Sequence, residues 1–216
     1  MAERETKLAS KLEELLERFS EERPVLRPPA GAAAWQALAE RFPNGHCRRW
    51  FEACDGQDTA YSFYDSHELV TLSEAADAMR IADDIRAEPD GYWVEPQWLA
   101  IAADNSGQHI MIDDRDGRVL AVAHDDDNVP VLAESPEAWL QSLLDGLDDG
   151  SIQWDRTFGL IETKVLEDVA AYKQAQAERK QQAAQMTPKQ RLGLFLTLGI
   201  TMGLMGLLIW WLESRR

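Results

Sequence analysis

Aspartates gather at two places where they could present several oxygens to a cation. One group is Asp125–Asp127, and the other lies within Asp113–Gly117. The second group suggests a calcium-binding loop, but Ile112 stands at the first ligand position and no glutamate follows at the twelfth. The pattern therefore predicts a turn at Gly117 and no metal site.

The remaining residues suited to chemistry are sparse. Cys47 and Cys54 are the two cysteines, and their spacing fits neither a C-x-x-C redox motif nor a zinc motif. His46 has no second histidine at a ligand-like interval. Nucleophile-elbow, Walker, zincin and dinucleotide-binding motifs are also lacking in the sequence. We therefore expect no cofactor, no metal and no enzymatic activity.

Charge is distributed unevenly along the chain. Residues 35–170 carry nine basic and twenty-nine acidic side chains, a net charge of -20, within a chain of net charge -16. Nucleic-acid binding is disfavoured because phosphate contacts need lysine and arginine. Two explanations remain open: a bland one, solubility or adaptation to a high-salt cytoplasm, and a functional acidic surface for a basic protein partner.

The elements that must position these residues begin with an amphipathic helix in residues 1–22. Its leucines and Phe19 recur at helical spacing with charges between them. Such a helix needs a partner surface, which is its own domain, a second copy or, least favoured, a membrane. A segment rich in proline and alanine, 23–34, is typical of a linker.

Residues 35–158 predict one α+β domain, a twisted and mainly antiparallel sheet backed by helices. Three apolar runs, 98–103, 109–112 and 119–123, are joined by Asp- and Gly-containing turns and predict a meander of hairpins. Helices are expected at 35–42, 45–53, 74–86 with Ser73 as N-cap, and from Pro136 to a stop at Gly150.

The end of the chain predicts a membrane anchor. A helical stalk, 159–187, leads to an apolar helix at 188–212, whose residues 192–212 carry no charge and reach roughly 30 Å. A tail of four residues, 213–216, follows. Basic residues are more numerous before the span than after it, so the positive-inside rule predicts that the N-terminal domain is cytoplasmic. The short tail after the span predicts a tail-anchored, single-pass protein. If the protein is bacterial, this membrane is expected to be the inner membrane.

Small residues line one side of this predicted span. Gly199 and Gly203 form a G-x-x-x-G pair that Gly206 extends. This spacing lets two helix backbones approach closely and so favours a homodimer, although glycine is also common in spans that do not associate.

Four phrases of the sequence resemble the SUKH superfamily, the group of fungal cell-wall assembly regulators and many bacterial immunity proteins. They are WQALAERFP from Trp35, WFEACDGQ from Trp50, HELVTLSEAADAM from His67 and, most specifically, WLAIAADNSGQHIMIDDRDGRV from Trp98. A fifth phrase, ESPEAWLQSLL from Glu134, fits the closing helix of that fold. Within these phrases we expect turn roles for Gly56, Asp104, Gly107, Asp113 and Gly117.

The resemblance implies a protein-binding module and no catalytic residue. The leading hypothesis is an immunity protein that binds and neutralises a toxin at the membrane. The alternative is a scaffold or regulator of cell-envelope synthesis or signalling, and a hydrolase is the least favoured. The candidate partner-binding residues are exposed acids expected near element ends: Asp125, Asp126, Asp127, Asp148 and Asp149.

Overall fold

The computed structural model describes residues 2–19, 23–87, 94–123, 126 and 128–185. The chain divides into two compact units, 1–164 and 165–216. All strands and the first five helices belong to the first unit, and the last helix begins in it and continues into the second. The predicted α+β class with an antiparallel sheet backed by helices is confirmed.

A five-stranded antiparallel sheet forms the centre of the first unit. Its strands lie side by side in chain order: β1 Glu68–Leu69, β2 Trp98–Ala103, β3 Gln108–Asp113, β4 Val119–Ala123 and β5 Val131–Ala133. Short turns connect β2 to β3 and β3 to β4, as the predicted meander requires. A register shift interrupts the pairing of β2 and β3 between Ala100 and Ala102.

The two faces of the sheet bury different clusters because side chains alternate along each strand. The larger cluster contains Leu99, Ile110, Ile112 and Val119 together with side chains of α1 Ala2–Glu17, α3 His46–Ala53 and α5 Pro136–Asp149. The second cluster includes Ala82 from α4 Leu72–Arg86. Its sheet residues are Trp98, Ala100, Met111, Leu120 and Val122.

Helix α1 packs against the domain that follows it. Leu8, Leu12 and Leu15 are at most 1% exposed, and the helix contacts both α3 and α5. Each fully buried leucine contributes about 1.5–3 kcal/mol, so this amphipathic face is satisfied within the chain itself. Of the three partner surfaces considered for the helix, the structure supports the first.

The segment predicted as a linker, 23–34, is also held by the domain. The Arg27 amide donates to the Gly56 carbonyl at 3.0 Å, and the Ala30 amide donates to the Phe51 carbonyl at 2.8 Å. Leu26 forms an isolated antiparallel bridge with Gln57. The prolines at 24, 28 and 29 exclude a regular helix over that part of the segment, but they leave the intervening amides free to pair with neighbouring backbone, and helix α2 begins only at Ala32.

Several predicted element limits are wrong. Helix α2 spans only Ala32–Trp35, and turns follow where a helix to residue 42 was expected. Helix α4 begins two residues earlier than predicted because Thr71, not Ser73, is its N-cap and forms a capping box with Glu74.

The predicted stalk helix, 159–187, also begins later than expected. Residues 159–162 form strand β7 Gly159–Glu162, which pairs with β6 Ile152–Asp155, and α6 spans Thr163–Gln185. Gly159 has a φ of +71°, which an α-helix does not accept, and Leu160 forms a parallel bridge with Tyr64. The pairing with β6 and the bridge to Tyr64 explain why the first residues of the segment predicted as a helix form a strand instead.

None of the helices in the described part of the chain has both the length and the apolar character that a membrane crossing requires. The predicted anchor, residues 188–212, lies outside the described residues together with its glycines Gly199, Gly203 and Gly206. The anchor and its association therefore stay predictions.

Candidate functional site

Asp113, the last residue of β3, is fully buried and surrounded by donors. The indole Nε1 of Trp98 donates to its Oδ2 at 3.0 Å, and the Arg115 guanidinium donates to the same oxygen at 2.6 Å. The Arg115 amide adds a bond of 2.9 Å to Oδ1. Burial opposes ionisation, but the bonds from Arg115 and Trp98 outweigh it, and the pKa of Asp113 is lowered.

Asp114 is fully buried as well and holds the start of helix α3. Its Oδ1 accepts from the Cys47 amide at 3.0 Å and its Oδ2 accepts from the Asn44 amide at 2.9 Å. These amides lie at or just before the helix N-terminus, where an anionic acceptor is stabilising. The carboxylates that looked most suited to binding a cation are therefore engaged in fixing the turn and α3.

Gly117 closes the same turn in the left-handed region, with a φ of +87°. A Cβ at this position would lie 2.5 Å from Nδ1 of His46, so the close approach of turn and helix requires glycine. His46 is thus a packing neighbour of the turn. Among the described residues no group of His, Cys, Asp and Glu side chains is arranged to hold a metal ion.

Both cysteines are buried thiols in or beside α3. Burial, followed by the charge of Asp114, raises the pKa of Cys47, and its Sγ donates to the Ile112 carbonyl at 3.4 Å. Burial raises the pKa of Cys54 to about 12. A nucleophilic cysteine needs an accessible thiolate at neutral pH, and neither environment favours one.

A cleft of about 230 Å³ opens on the sheet beside a turn formed by residues 64–67. Gln108, Ile110, Ala121 and Ala123 line it from one face of β3 and β4, because the register pairs 108 with 123 and 110 with 121. The other lining residues are Tyr64, Asp65, His67, His109, Val122, Asp126, Asn128, Pro130 and Leu132. The lining contains two carboxylates and no lysine or arginine among the residues that the structure describes.

The turn beside this cleft has an unusual backbone. Asp65 and Ser66 both have positive φ, +44° and +69°, a conformation that costs a non-glycine residue of order 1 kcal/mol or more. Their amides donate to the carbonyls of Leu160 and Phe158, each at 2.8 Å. The β6–β7 hairpin thereby holds the turn against the sheet and fixes where the Asp65 carboxylate is presented.

His67 completes the turn from within. It is 6% exposed, and its Nδ1 lies 2.8 Å from the Asp65 carbonyl oxygen and 3.1 Å from that of Tyr64. Since both partners are acceptors only, Nδ1 carries the proton. Burial, followed by the charges of Asp65 and Glu162, raises the pKa of Tyr64, so this phenol stays neutral at physiological pH.

The predicted partner-binding acids fall into two groups. Asp126 lines the cleft, whereas Asp125 and Asp127 lie outside the described residues. Asp148 and Asp149 end helix α5 and do not line the cleft. Asp148 forms an ion pair with Arg18 at 3.1 Å. Asp149 accepts from the Ser151 amide at 2.8 Å, and bonds from Ser151 lower its pKa.

The predicted turn residues lie at connections. Gly56, with a φ of +77°, has no room for a Cβ, which would lie 2.7 Å from the Thr71 nitrogen. Asp104 accepts from the amides of Ser106 and Gln108 between β2 and β3, where Gly107 also lies. Burial opposes ionisation of Asp104, but the bond from the Ser106 hydroxyl at 2.6 Å, followed by the two amide bonds, lowers its pKa.

Sequence reasoning missed Tyr64, Asp65, His67 and Gln108. The phrase Tyr64–His67 contains Asp65 and Ser66, which are common in turns, but it lacks the glycine that positive φ usually requires, so sequence reasoning did not place a tight turn there. The alternation in β3 did place Gln108 and Ile110 on one face, which was the available signal. Only the fold brings that face together with a turn more than forty residues earlier in the chain.

The fold alone places the first unit in a structural class, that of α+β domains built on an antiparallel meander with helices packed on the sheet. Residues 40–142, nearly half of the chain, match the model of the SMI1 / KNR4 family (SUKH-1). This match contains β1 to β5 and all of the residues that line the cleft, and it supports the resemblance to the SUKH superfamily. Comparison with curated proteins gives no match.

Proposed function

We propose that the protein is a protein-binding module tethered to the cytoplasmic face of a membrane, and that it acts as an immunity protein against a toxin. The observation that carries the binding role is the SUKH-1 match over residues 40–142. The superfamily includes immunity proteins and cell-wall assembly regulators, and we infer that in either role this protein would act by binding a protein partner.

The excess of acidic residues in the middle of the chain supports a basic partner. Residues 35–170 have a net charge of -20. Electrostatic complementarity of this kind raises association rates and disfavours acidic competitors, which suits rapid capture of a toxin. A nuclease or a membrane-active effector with a basic surface is the expected class of partner.

The anchor contributes to the same proposal. A span at 188–212 keeps the domain at the membrane and raises its effective concentration where a toxin enters. The sequence argument for the span rests on twenty-one consecutive residues without a charge, 192–212. Membrane tethering is equally compatible with the alternative function, a scaffold for cell-envelope synthesis or signalling.

We infer a non-enzymatic role from the way the reactive groups are engaged. Asp113 and Asp114 accept hydrogen bonds that fix β3, the turn and α3. The environments of both thiols favour the protonated form. Turnover of a substrate by the purified chain, lost on replacing one carboxylate, would contradict this inference.

Affinity capture from membranes with the full-length chain tests the proposed function. A matched control is Gly117→Val, because its Cβ would collide with His46 and disrupt the domain without changing the charge or the anchor. We expect a partner that the parent chain enriches and the control does not. That partner should be toxic when expressed alone, and the full chain should suppress its toxicity.

The identity of the captured protein separates the alternatives. An envelope-synthesis enzyme whose activity changes with the full chain would favour the scaffold. Recovery of chaperones alone, at equal levels from parent and control, would contradict any protein-binding function.

A further inference from the structure

The cleft beside residues 64–67 combines groups that suit one kind of side chain. Its interior offers the Tyr64 ring and the apolar side chains of Ile110 and Leu132, while Asp65 and Asp126 are exposed at its edge. A guanidinium group stacks on aromatic rings and donates in a planar fork to carboxylates, and its aliphatic stem packs on apolar surface.

The volume of the cleft limits what it can hold. Pockets for small molecules and cofactors measure about 300–1,000 Å³. The present cleft is smaller, about 230 Å³, and it is open at the surface of the sheet. It is therefore better matched to a single long side chain that enters from a partner protein than to a free cofactor.

The Asp65 carboxylate is available for such a contact. The described residues donate no hydrogen bond to its side chain and form no ion pair with it, whereas Asp83 and Asp113 are both paired with arginines of this chain. One oxygen of Asp126 accepts from the Asn128 amide at 2.8 Å. The positive φ at Asp65, held by the Leu160 carbonyl, fixes this unpaired carboxylate beside the opening.

We propose that this cleft is the docking site for an arginine side chain of a basic partner protein, a proposal that rests on the protein-binding function above. Asp65 is the principal acceptor, Asp126 assists it at the rim, and the guanidinium plane lies against the Tyr64 ring. The occupant is a protein segment, because the proposed function calls for a protein partner and the net charge of -20 over residues 35–170 favours a basic one.

Fluorine NMR of the full-length chain in detergent micelles tests this directly. The chain contains four tyrosines, so 3-fluorotyrosine labelling gives few signals, and Tyr64→Phe assigns the one from the cleft. Tyr172, which is 65% exposed on α6, serves as an internal reference. The probe is acetyl-Gly-Arg-Gly-amide, compared with the same peptide carrying lysine or the neutral isostere citrulline.

We expect the arginine peptide to shift the Tyr64 signal saturably, with a dissociation constant in the millimolar range, on the order of 1–20 mM. Citrulline should bind about tenfold more weakly, and lysine should lie between the two. Asp65→Asn should weaken binding about three- to tenfold, and the Asp65→Asn, Asp126→Asn pair should weaken it further. Asparagine tolerates a positive φ, so the turn is expected to persist.

Asp168→Asn is the matched control because it removes one exposed charge from α6 and should leave binding unchanged. The proposal is overturned by any of three results: a Tyr64 chemical shift that the arginine peptide leaves unchanged, equal binding of the arginine and citrulline peptides, or equal weakening of binding by the Asp65 and Asp168 variants. If a captured partner binds the Asp65 variant as tightly as the parent, the cleft is refuted while the binding function stands. Failure to capture any specific partner refutes that function independently of the peptide titration.

Discussion

Replacing Asp114 with alanine should destabilise the first unit more than any surface substitution in the same turn. The substitution leaves the buried Cys47 amide and the part-buried Asn44 amide without their acceptor, at 3.0 Å and 2.9 Å respectively in the parent. An unsatisfied buried donor costs about 1–3 kcal/mol, and a part-buried one about 0.5–1.5 kcal/mol. The expected loss is therefore about 2–4 kcal/mol.

That loss corresponds to a fall in melting temperature of about 5–15 °C, since one kcal/mol shifts a protein of 150–250 residues by about 2–4 °C. Tryptophan fluorescence of the full chain in detergent measures it, because Trp50 lies in α3 and is fully buried. Asp114→Asn should fall between parent and alanine variant, as its amide offers one acceptor oxygen to two donors.

Asp116→Ala is the matched control for this experiment. Its carboxylate accepts from the Arg118 side chain at 2.7 Å, but the pair is 38% and 45% exposed, and exposed pairs contribute about 0–1 kcal/mol. We expect a shift of at most about 3 °C. If Asp114→Ala and Asp116→Ala lower the melting temperature equally, the role assigned to the buried carboxylate is wrong.

Three further predictions concern other parts of the chain. Because the folded pKa of Asp113 is lowered, the stability that its ionised form contributes is present above its unfolded pKa and is lost as pH falls through the folded pKa. Urea titrations at acid pH should show no such loss for Asp113→Asn. If the variant loses stability with falling pH as the parent does, the role assigned to Asp113 is wrong. Gly56→Ala should destabilise by more than about 2 kcal/mol, whereas Gly31→Ala, with open space around it, should stay within about 1 kcal/mol in the same melts. Gly203→Ile should weaken self-association in a membrane two-hybrid assay without impairing insertion, and an unchanged signal would leave the span as a plain tether.

The parts of the fold that sequence predicted are those whose signals are local. Strands β2 to β4 are short, mainly apolar runs, and they end in turns that Asp104 and Gly117 make recognisable. Helix α5 begins at Pro136 after the N-cap Ser135, and it is closed by Gly150, which has a φ of +79° as a left-handed cap requires. Each of these signals lies within a few residues of the structure that it specifies.

The parts that sequence did not predict depend on contacts distant in the chain. Strand β7 pairs with β6 and bridges to Tyr64, and no local pattern separates its short apolar run from the first turn of a helix. The 23–34 segment looked like a linker because it is rich in proline and alanine, yet the Ala30 amide pairs with the carbonyl of Phe51 and helix α2 begins at Ala32. Tertiary hydrogen bonds decided both cases.

The same distinction separates the acids that build the fold from the acids offered to a partner. Asp113 and Asp114 belong to the most specific phrase of the sequence, and the structure directs their carboxylates to an arginine, an indole and backbone amides of this chain. Asp65 belongs to a phrase without any motif, and its carboxylate is presented, without a cationic partner among the described residues, beside a cleft. A net charge of -20 over residues 35–170 cannot distinguish these two uses, because it counts paired and unpaired carboxylates alike. What distinguishes them is whether the fold has already supplied a donor, and that is why partner recognition should be tested at the cleft that Asp65 and Asp126 line, rather than at acids chosen by their clustering in the sequence.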